Sequence, residues 1–295
     1  MDGSPIWSLG EIVIDAEHPD SHGVHWILTK EEGFWAAPKT GAELHPHLSR
    51  HGAIRTPGWK AERTITLEGH AFAPDFPTLR RASDRLTGML SDPHEPTPLV
   101  CYSEIGPQVC DVFLDDQILT KPGESAVPSF EWSLQLVAPD PRRFGLHWSR
   151  ALTELPSEGT VGVRFGDGLD FSHGVSLAPW ASSGTMRLHN PGTAPTAPMF
   201  TLHGPLVRPT LTVRGRRAGV ITYSDNIAVG EHVVIDPGGP RVLLNGRTPV
   251  RHVAFPADFE QFVIPPGGEL CVHLDHNGDP DATGVVEAAW RLAWF

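Results

Sequence analysis

The sequence predicts a mainly β protein with one α-helix, and three observations carry that reading. The segment Val285–Phe295, V-V-E-A-A-W-R-L-A-W-F, places Val286, Ala288, Trp290, Leu292 and Trp294 on one face and Glu287, Ala289, Arg291 and Ala293 on the other. That two-residue period belongs to a strand with one buried face. The same period recurs along most of the chain, while helical spacing appears once. With 30 Gly and 29 Pro in 295 residues, turns are frequent enough to separate many short strands. The length exceeds what one core commonly serves, so two domains are expected.

Taken in order, Glu11–Ile14 and Val24–Leu28 read as short strands. Gly41–Gly58, rich in His, Pro and Gly, reads as a long loop or arm. Glu62–Phe72 is a strand with Ile65, Leu67, Gly69 and Ala71 on one face and Thr64, Thr66, Glu68 and His70 on the other. The helix follows: Asp75 caps it, Pro77 fits its first turn, and Phe76, Leu79, Ser83, Leu86 and Leu90 fall on one side. Gly88 weakens its end and Pro93 stops it. Leu99–Tyr102 and Val109–Leu114 form a hairpin. Phe130–Ala138 alternates Trp132, Leu134 and Leu136 against Glu131, Ser133 and Gln135, and halts at Pro139-Asp140-Pro141.

Residues 146–184 are rich in Gly and Ser, with sparse strand signals at Thr160–Phe165 and Val175–Leu177. They read as a linker or connecting hairpin between a first domain, 1–145, and a second, 185–295. The second block offers strand candidates at Met186–His189, Met199–His203, Thr210–Arg214, Gly219–Tyr223, Glu231–Ile235, Val242–Leu244, Phe259–Ile264, Leu270–Asp275 and Gly284–Trp294. Asn245-Gly246 is its strongest hairpin signal. So many short strands in so few residues predict a jelly roll or sandwich.

The formal charge is -12, from 23 basic and 35 acidic side chains, and residues 1–145 hold 12 basic and 21 acidic of these. That balance argues against phosphate-backbone binding, which needs clustered Lys and Arg. No apolar run approaches the ~20 residues of a membrane helix. The opening M-D-G-S-P-I-W lacks a basic region followed by an apolar one, so no signal peptide is expected. Three cysteines make no disulfide framework. If Ser103 pairs with Gln108, Cys101 lies opposite Cys110, and the two either bridge or stay buried thiols. Cys271 has no evident partner.

Nucleotide-binding, nucleophile-elbow and zinc-protease motifs are absent. His45, His47 and His51 have spacings that suit a transition metal or simply a polar loop. Asp275, Asn277, Asp279 and Asp281 resemble a calcium loop, but Pro280 and Val286 stand where that loop needs Gly and Glu, which leaves a polar hairpin tip. Asp167, Asp170 and Asp236 are carboxylates available for glycoside hydrolysis, with nothing that singles them out. Trp132, Trp290 and Trp294 occupy inward strand phases. Trp7, Trp35, Trp59, Trp148 and Trp180 lie in irregular stretches, where rings stack on sugars, bury at interfaces, or pack within their own domain. No catalytic residue, cofactor-binding residue or metal ligand is assigned, and no enzymatic activity is expected.

Several segments resemble the distal tail proteins (Dit, minor tail proteins) of long, flexible-tailed bacteriophages. They are R-T-I-T-L-E-G-H-A-F-A-P-D running into F-P-T-L-R-R-A-S-D-R-L-T-G-M-L, then F-E-W-S-L-Q-L-V-A-P-D-P-R-R-F, then N-P-G-T-A-P-T-A-P-M-F-T-L-H-G, G-E-H-V-V-I-D, P-R-V-L-L-N-G-R and A-A-W-R-L-A-W. Their order carries the likeness, over most of residues 5–145 and 185–295. The resemblance implies an N-terminal belt domain of β-sheets with one helix and a C-terminal galectin-like β-sandwich. It implies a homo-hexameric ring in the virion tail tip, assembled in the host cytoplasm. Tail tube protein would lie above it and the baseplate hub or tail-associated lysin below, with receptor-binding proteins as further partners. Genomic DNA would transit the lumen, and no membrane would be involved. An acidic first domain suits a bore past which phosphate slides. Within that picture Gly41–Gly58 is the candidate inter-subunit arm. The alternative is a lectin-like module recognising host cell-wall glycan.

Overall fold

The structure, a computed structural model, describes residues 5–123, 127–156, 182–215, 218–278 and 283–295. The protein is mainly β. It divides into two compact units, Met1–Leu146 with Trp294–Phe295, and His147–Ala293. No helix among the described residues is long and apolar enough to cross a membrane.

The first unit contains β1 (Ile6–Leu9), β2 (Ile12–Ile14), β3 (His25–Glu32), β4 (Thr40–Gly41), β5 (Leu44–Pro46), β6 (Ala53–Arg55), β7 (Trp59–Lys60), β8 (Arg63–Phe72), α1 (Phe76–Met89), β9 (Thr97–Ser103), β10 (Gly106–Leu114), β11 (Leu119–Pro122), β12 (Ser129–Ala138) and the start of β13 (Arg143–Glu154). One run of antiparallel strands is β2-β1-β9-β10, with Phe144 and Gly145 of β13 added beside β10. A second is β3-β8-β12-β11, joined to the first where Phe113 and Leu114 meet Val137 and Leu136. The alternating strands β8 and β12 pair over their full length, from Arg63↔Ala138 to Phe72↔Ser129. They turn Ile65, Leu67, Ala71, Trp132, Leu134 and Leu136 into one core with Trp7, Trp26 and Phe34. Trp7 therefore sits on a strand and in the core rather than in an irregular stretch.

Asp75 caps α1 by accepting from Thr78 N at 2.7 Å, and Pro77 lies in its first turn. The helix buries Thr78, Ala82 and Leu86, while Phe76 is exposed. Of the expected face, Leu86 and Leu90 are buried and Leu79 packs against the core, whereas Phe76 points away. Thr78 and Ala82 share the buried side with Leu86.

The β9–β10 hairpin turns over Glu104-Ile105 alone, with Ser103 opposite Gly106. This register sets Cys101 opposite Gln108 and Cys110 opposite Leu99, so the expected Cys101–Cys110 opposition does not occur and both thiols are free. Gly106, at φ +104°, permits the tighter turn.

The second unit holds β14 (Thr185–Asn190), β15 (Met199–His203), β16 (Leu206–Val207), β17 (Thr210–Val213), β18 (Gly219–Tyr223), β19 (Asn226–Ile227), β20 (His232–Asp236), β21 (Arg241–Leu244), β22 (Thr248–Pro249), β23 (Ala254–Ala257), β24 (Gly268–Asp275) and most of β25 (Val285–Trp294). Strands run β25-β15-β20-β21-β22 in one sheet and β14-β24-β17-β18-β23 in the other. Inward residues of both sheets share one core, among them Phe200, Val233 and Val286 from the first and Leu188, Leu211 and Val272 from the second. That is a sandwich.

Asn245 and Gly246 take positive φ in the turn between β21 and β22. Phe259–Ile264 forms no strand. Phe259–Gln261 is a 3-10 turn that buries Phe259, and Phe262 and Ile264 are buried beyond it. Apolar residues at 259 and 262 follow a three-residue step, which a single turn satisfies. In the stretch read as a linker or connecting hairpin, β13 continues as strand to Glu154. The strand signals at Thr160–Phe165 and Val175–Leu177 lie outside the described residues.

The alternation of β25 slips after Trp290: Ala293 is buried, whereas Leu292 and Trp294 are only partly so. The cause is the segment Asn190-Pro191-Gly192. Asn190, fully buried, accepts from Ala293 N at 3.3 Å and Gly192 N at 3.2 Å and donates to Ala194 O at 2.8 Å. A side chain at Gly192 would overlap the Ala293 carbonyl.

Candidate subunit interface

The segment between β3 and β8 is a hairpin with no core of its own. β4 pairs β7 (Thr40↔Lys60, Gly41↔Trp59), and β5 pairs β6 (Leu44↔Arg55 to Pro46↔Ala53). Thr56 N donates to Glu43 O at 2.9 Å, Ala61 N to Lys39 O at 2.9 Å, and Lys60 Nζ to Thr40 Oγ1 at 3.0 Å. Every residue of these four strands is exposed. Leu44, Leu48, Ile54 and Trp59 are 67%, 106%, 58% and 83% exposed. An isolated two-stranded ribbon is marginal in water, and large apolar side chains clustered on one without cover mark a contact surface.

The roots of this arm are locked together. Arg63, the first residue of β8, is buried and donates through Nη1 to the carbonyls of Gly33 (2.7 Å), Phe34 (2.8 Å) and Ala36 on the outgoing root. Its Nε reaches Pro141 O at 2.9 Å. Gly33, at φ +103°, lies so close to the Thr64 carbonyl that a side chain would overlap it. Burial lowers the Arg63 pKa from its ordinary value, yet arginine stays charged at any working pH. The arm thus stands on a rigid base.

Arm charge differs from that of its surroundings. Thr40–Lys60 carries Arg50, Arg55 and Lys60 against Glu43, in a domain with an acidic excess. The same unit has a second uncovered apolar surface, a groove of about 600 Å³ lined by Phe76, Pro77, Leu79, Thr120, Pro122 and Phe130 between α1 and β11.

His45 lies on β5, with Nε2 3.5 Å from Glu43 Oε2, and His47 and His51 flank the arm tip. No group of three His, Cys, Asp or Glu side chains placed to hold a metal occurs among the described residues. Asp236 is tied to Arg241 at 2.8 Å and accepts from Gly239 N, so it closes a turn. Asp275 Oδ1 accepts from His276 N, and Asn277 N donates to Val207 O. Asp167, Asp170, Trp180, Asp279 and Asp281 lie outside the described residues. Trp148, on β13, is 53% exposed, with the Arg291 guanidinium 5.7 Å from its ring centroid and the Arg150–Glu287 ion pair (3.1 Å) in the same unit. Sequence periodicity passed over the Arg63 clamp, because a single Arg at a strand start carries no pattern.

No protein-family model and no curated protein matches the chain. Solved structures do. The crystal structure of the SPP1 Dit protein, described as a paradigm of the hub adsorption apparatus in phages infecting Gram-positive hosts, aligns at a TM-score of 0.66 with 9% identity, over 99% of this chain and 100% of that one. A chain of the phage P2 baseplate in its activated conformation with Ca aligns at 0.51 and 10% identity, and its counterpart with Sr at 0.50 and 12%, each over 97% of this chain and 98% of the other. At these identities the likeness is one of fold, and it spans both units.

Proposed function

We propose that this chain is a non-enzymatic structural subunit of a phage tail, forming a homo-hexameric ring at the distal end of the tube. Residues 1–145 serve as the ring-forming belt, and 185–295 as an outward galectin-like domain joined through 146–184. Tube protein lies above the ring and the baseplate hub or tail-associated lysin below, with receptor-binding proteins docking on the outside. DNA passes through the lumen at ejection. The subunit is assembled in the host cytoplasm and resides in the virion.

The observation that carries this reading is the arm. A basic, apolar hairpin on an acidic body, with its own surface uncovered and its roots clamped, is one half of a heterologous contact. A heterologous contact repeated around an axis closes a ring. The groove beside α1 offers an apolar surface in the same unit, and the Dit-like fold over the whole chain supports the same assignment. The acidic excess of residues 1–145 favours passage of DNA without retention. Native mass measurement at micromolar concentration tests the proposal. Six copies of the 32.1 kDa chain are expected, and a monomer insensitive to concentration overturns it.

A second reading, a lectin-like module, is favoured by Trp148. A half-exposed indole with the Arg291 guanidinium over its ring joins a flat apolar face to a planar hydrogen-bonding group, which a sugar ring requires. A glycan array with the full chain separates the two readings.

A further inference from the structure

The interior of the first unit contains polar atoms left without partners once the Arg63 clamp of the arm roots is counted. Trp7, Arg63, Gln108 and Arg143 are all more than nine-tenths buried. Trp7 Nε1, Arg63 Nη2, Arg143 Nε and Arg143 Nη1 have no hydrogen-bond acceptor, and Gln108 Oε1 has no donor. These atoms belong to one neighbourhood. Trp7, Cys101 and Gln108 form a cross-strand row on the core face of β1, β9 and β10. Phe34 lies at the centre: the Trp7 ring meets it edge-on at 4.8 Å, Arg63 Nη1 donates to its carbonyl at 2.8 Å, and the Arg143 guanidinium stands 5.6 Å from its centroid.

The surplus has a sign. The four buried donor atoms carry six N–H bonds, and Gln108 Oε1, the one unused acceptor among them, can take at most two. Burying N–H groups without acceptors is costly, and more so on a charged group. Glu31 is the acidic side chain that acts on both arginines, and one of its oxygens already accepts from Phe34 N at 2.6 Å. Cys101 and Cys110 stay neutral, since burial pushes both thiols up to about 12. Arg143 Nη2 is spent on Phe295 O at 2.7 Å. An acceptor-only ligand meets the remaining donors without adding any of its own, which water cannot do.

We propose that the first unit binds one small monovalent anion of the chloride class between the Arg63 and Arg143 guanidinium groups, within reach of Trp7 Nε1. The anion joins the arm root, through Arg63, to β13, through Arg143.

Crystals of the full chain grown in sodium bromide test this directly. An anomalous peak in contact with both guanidinium groups is expected. Ordered water at that place with no bromide signal overturns the proposal. Melting in chloride against gluconate at equal ionic strength is a second test: an increase of about 2–4 °C is expected at chloride well above its Kd, and equal melting contradicts the site. Arg143→Gln should abolish the salt difference; a difference that persists in the folded variant places the anion elsewhere and overturns the assignment. The bromide experiment decides independently of whether that variant folds.

Discussion

Asp20 and Arg85 form an ion pair of 2.8 Å in which the carboxylate is almost entirely buried. Asp20 precedes β3 and Arg85 lies on α1, so the pair fastens the helix to the chain entering the sheet. The same carboxylate accepts from Val24 N at 2.9 Å, His22 N at 2.9 Å and Trp26 Nε1 at 3.0 Å. Burial pushes its pKa up, but these four bonds outweigh burial and hold it below the ordinary 3.8. Asp20→Ala should cost about 2–4 kcal/mol, read by chemical denaturation. The pH dependence has a definite sign. A depressed folded-state pKa gives stability that is complete above the unfolded value and is lost as pH falls through the folded one. Asp20→Asn should therefore flatten the acid limb of stability below about pH 4, and an unchanged acid limb contradicts this.

Arm substitutions should separate folding from assembly. Leu48→Asp and Trp59→Ser alter exposed side chains, so melting should move by no more than about 1–2 °C. Ring formation should weaken by about tenfold or more, because large aromatic and apolar residues dominate contact energy. Sedimentation across a concentration series reads this. A variant that assembles like the unaltered chain removes the arm from the interface.

The Asn190 staple should be costly to break. Asn190→Ala leaves Ala293 N, Gly192 N and Ala194 O without these partners, and Gly192→Ala drives a methyl into the Ala293 carbonyl. Each should lower stability by about 2–3 kcal/mol, seen as a shifted urea midpoint with an unchanged slope.

Thiol labelling should distinguish the cysteines. Cys271 is exposed, while Cys101 and Cys110 are buried and raised to about 12. One equivalent of alkylating reagent should react with the folded chain at pH 8 and three with the unfolded chain, counted by mass spectrometry. Native uptake of two or three contradicts the packing around β9 and β10.

Trp148→Ala should leave ring formation intact if the tail reading holds, and should abolish glycan capture if the lectin reading holds. Glycan binding that survives the substitution removes Trp148 as the sugar platform.

Much of the fold was legible because burial on one face of a strand writes itself as alternation. β8, β12, β15, β18 and β24 stand close to where their periodicity placed them, and Asp75 and Pro77 announced α1. What was not legible depended on contacts from elsewhere in the chain. The burial of Thr78 and Ala82 on α1, and the exposure of Phe76, carried no such signal. The slip in β25 was imposed by Asn190, about a hundred residues away. The β9–β10 register turned on Gly106, whose position in the turn a period-two pattern does not reveal. For the candidate interface, the sequence indicated an arm through its Pro, Gly and His content and its lack of packing signals. The paired strands within it are too short to show a period, and the Arg63 clamp joins its roots through backbone carbonyls that have no sequence signature.

Electron microscopy of the purified chain at micromolar concentration tests the central claim most directly. Class averages should show closed rings with sixfold symmetry, and the arm variants should break those rings into single copies. Solitary particles of one chain at every concentration, with or without the arm residues, would contradict the account.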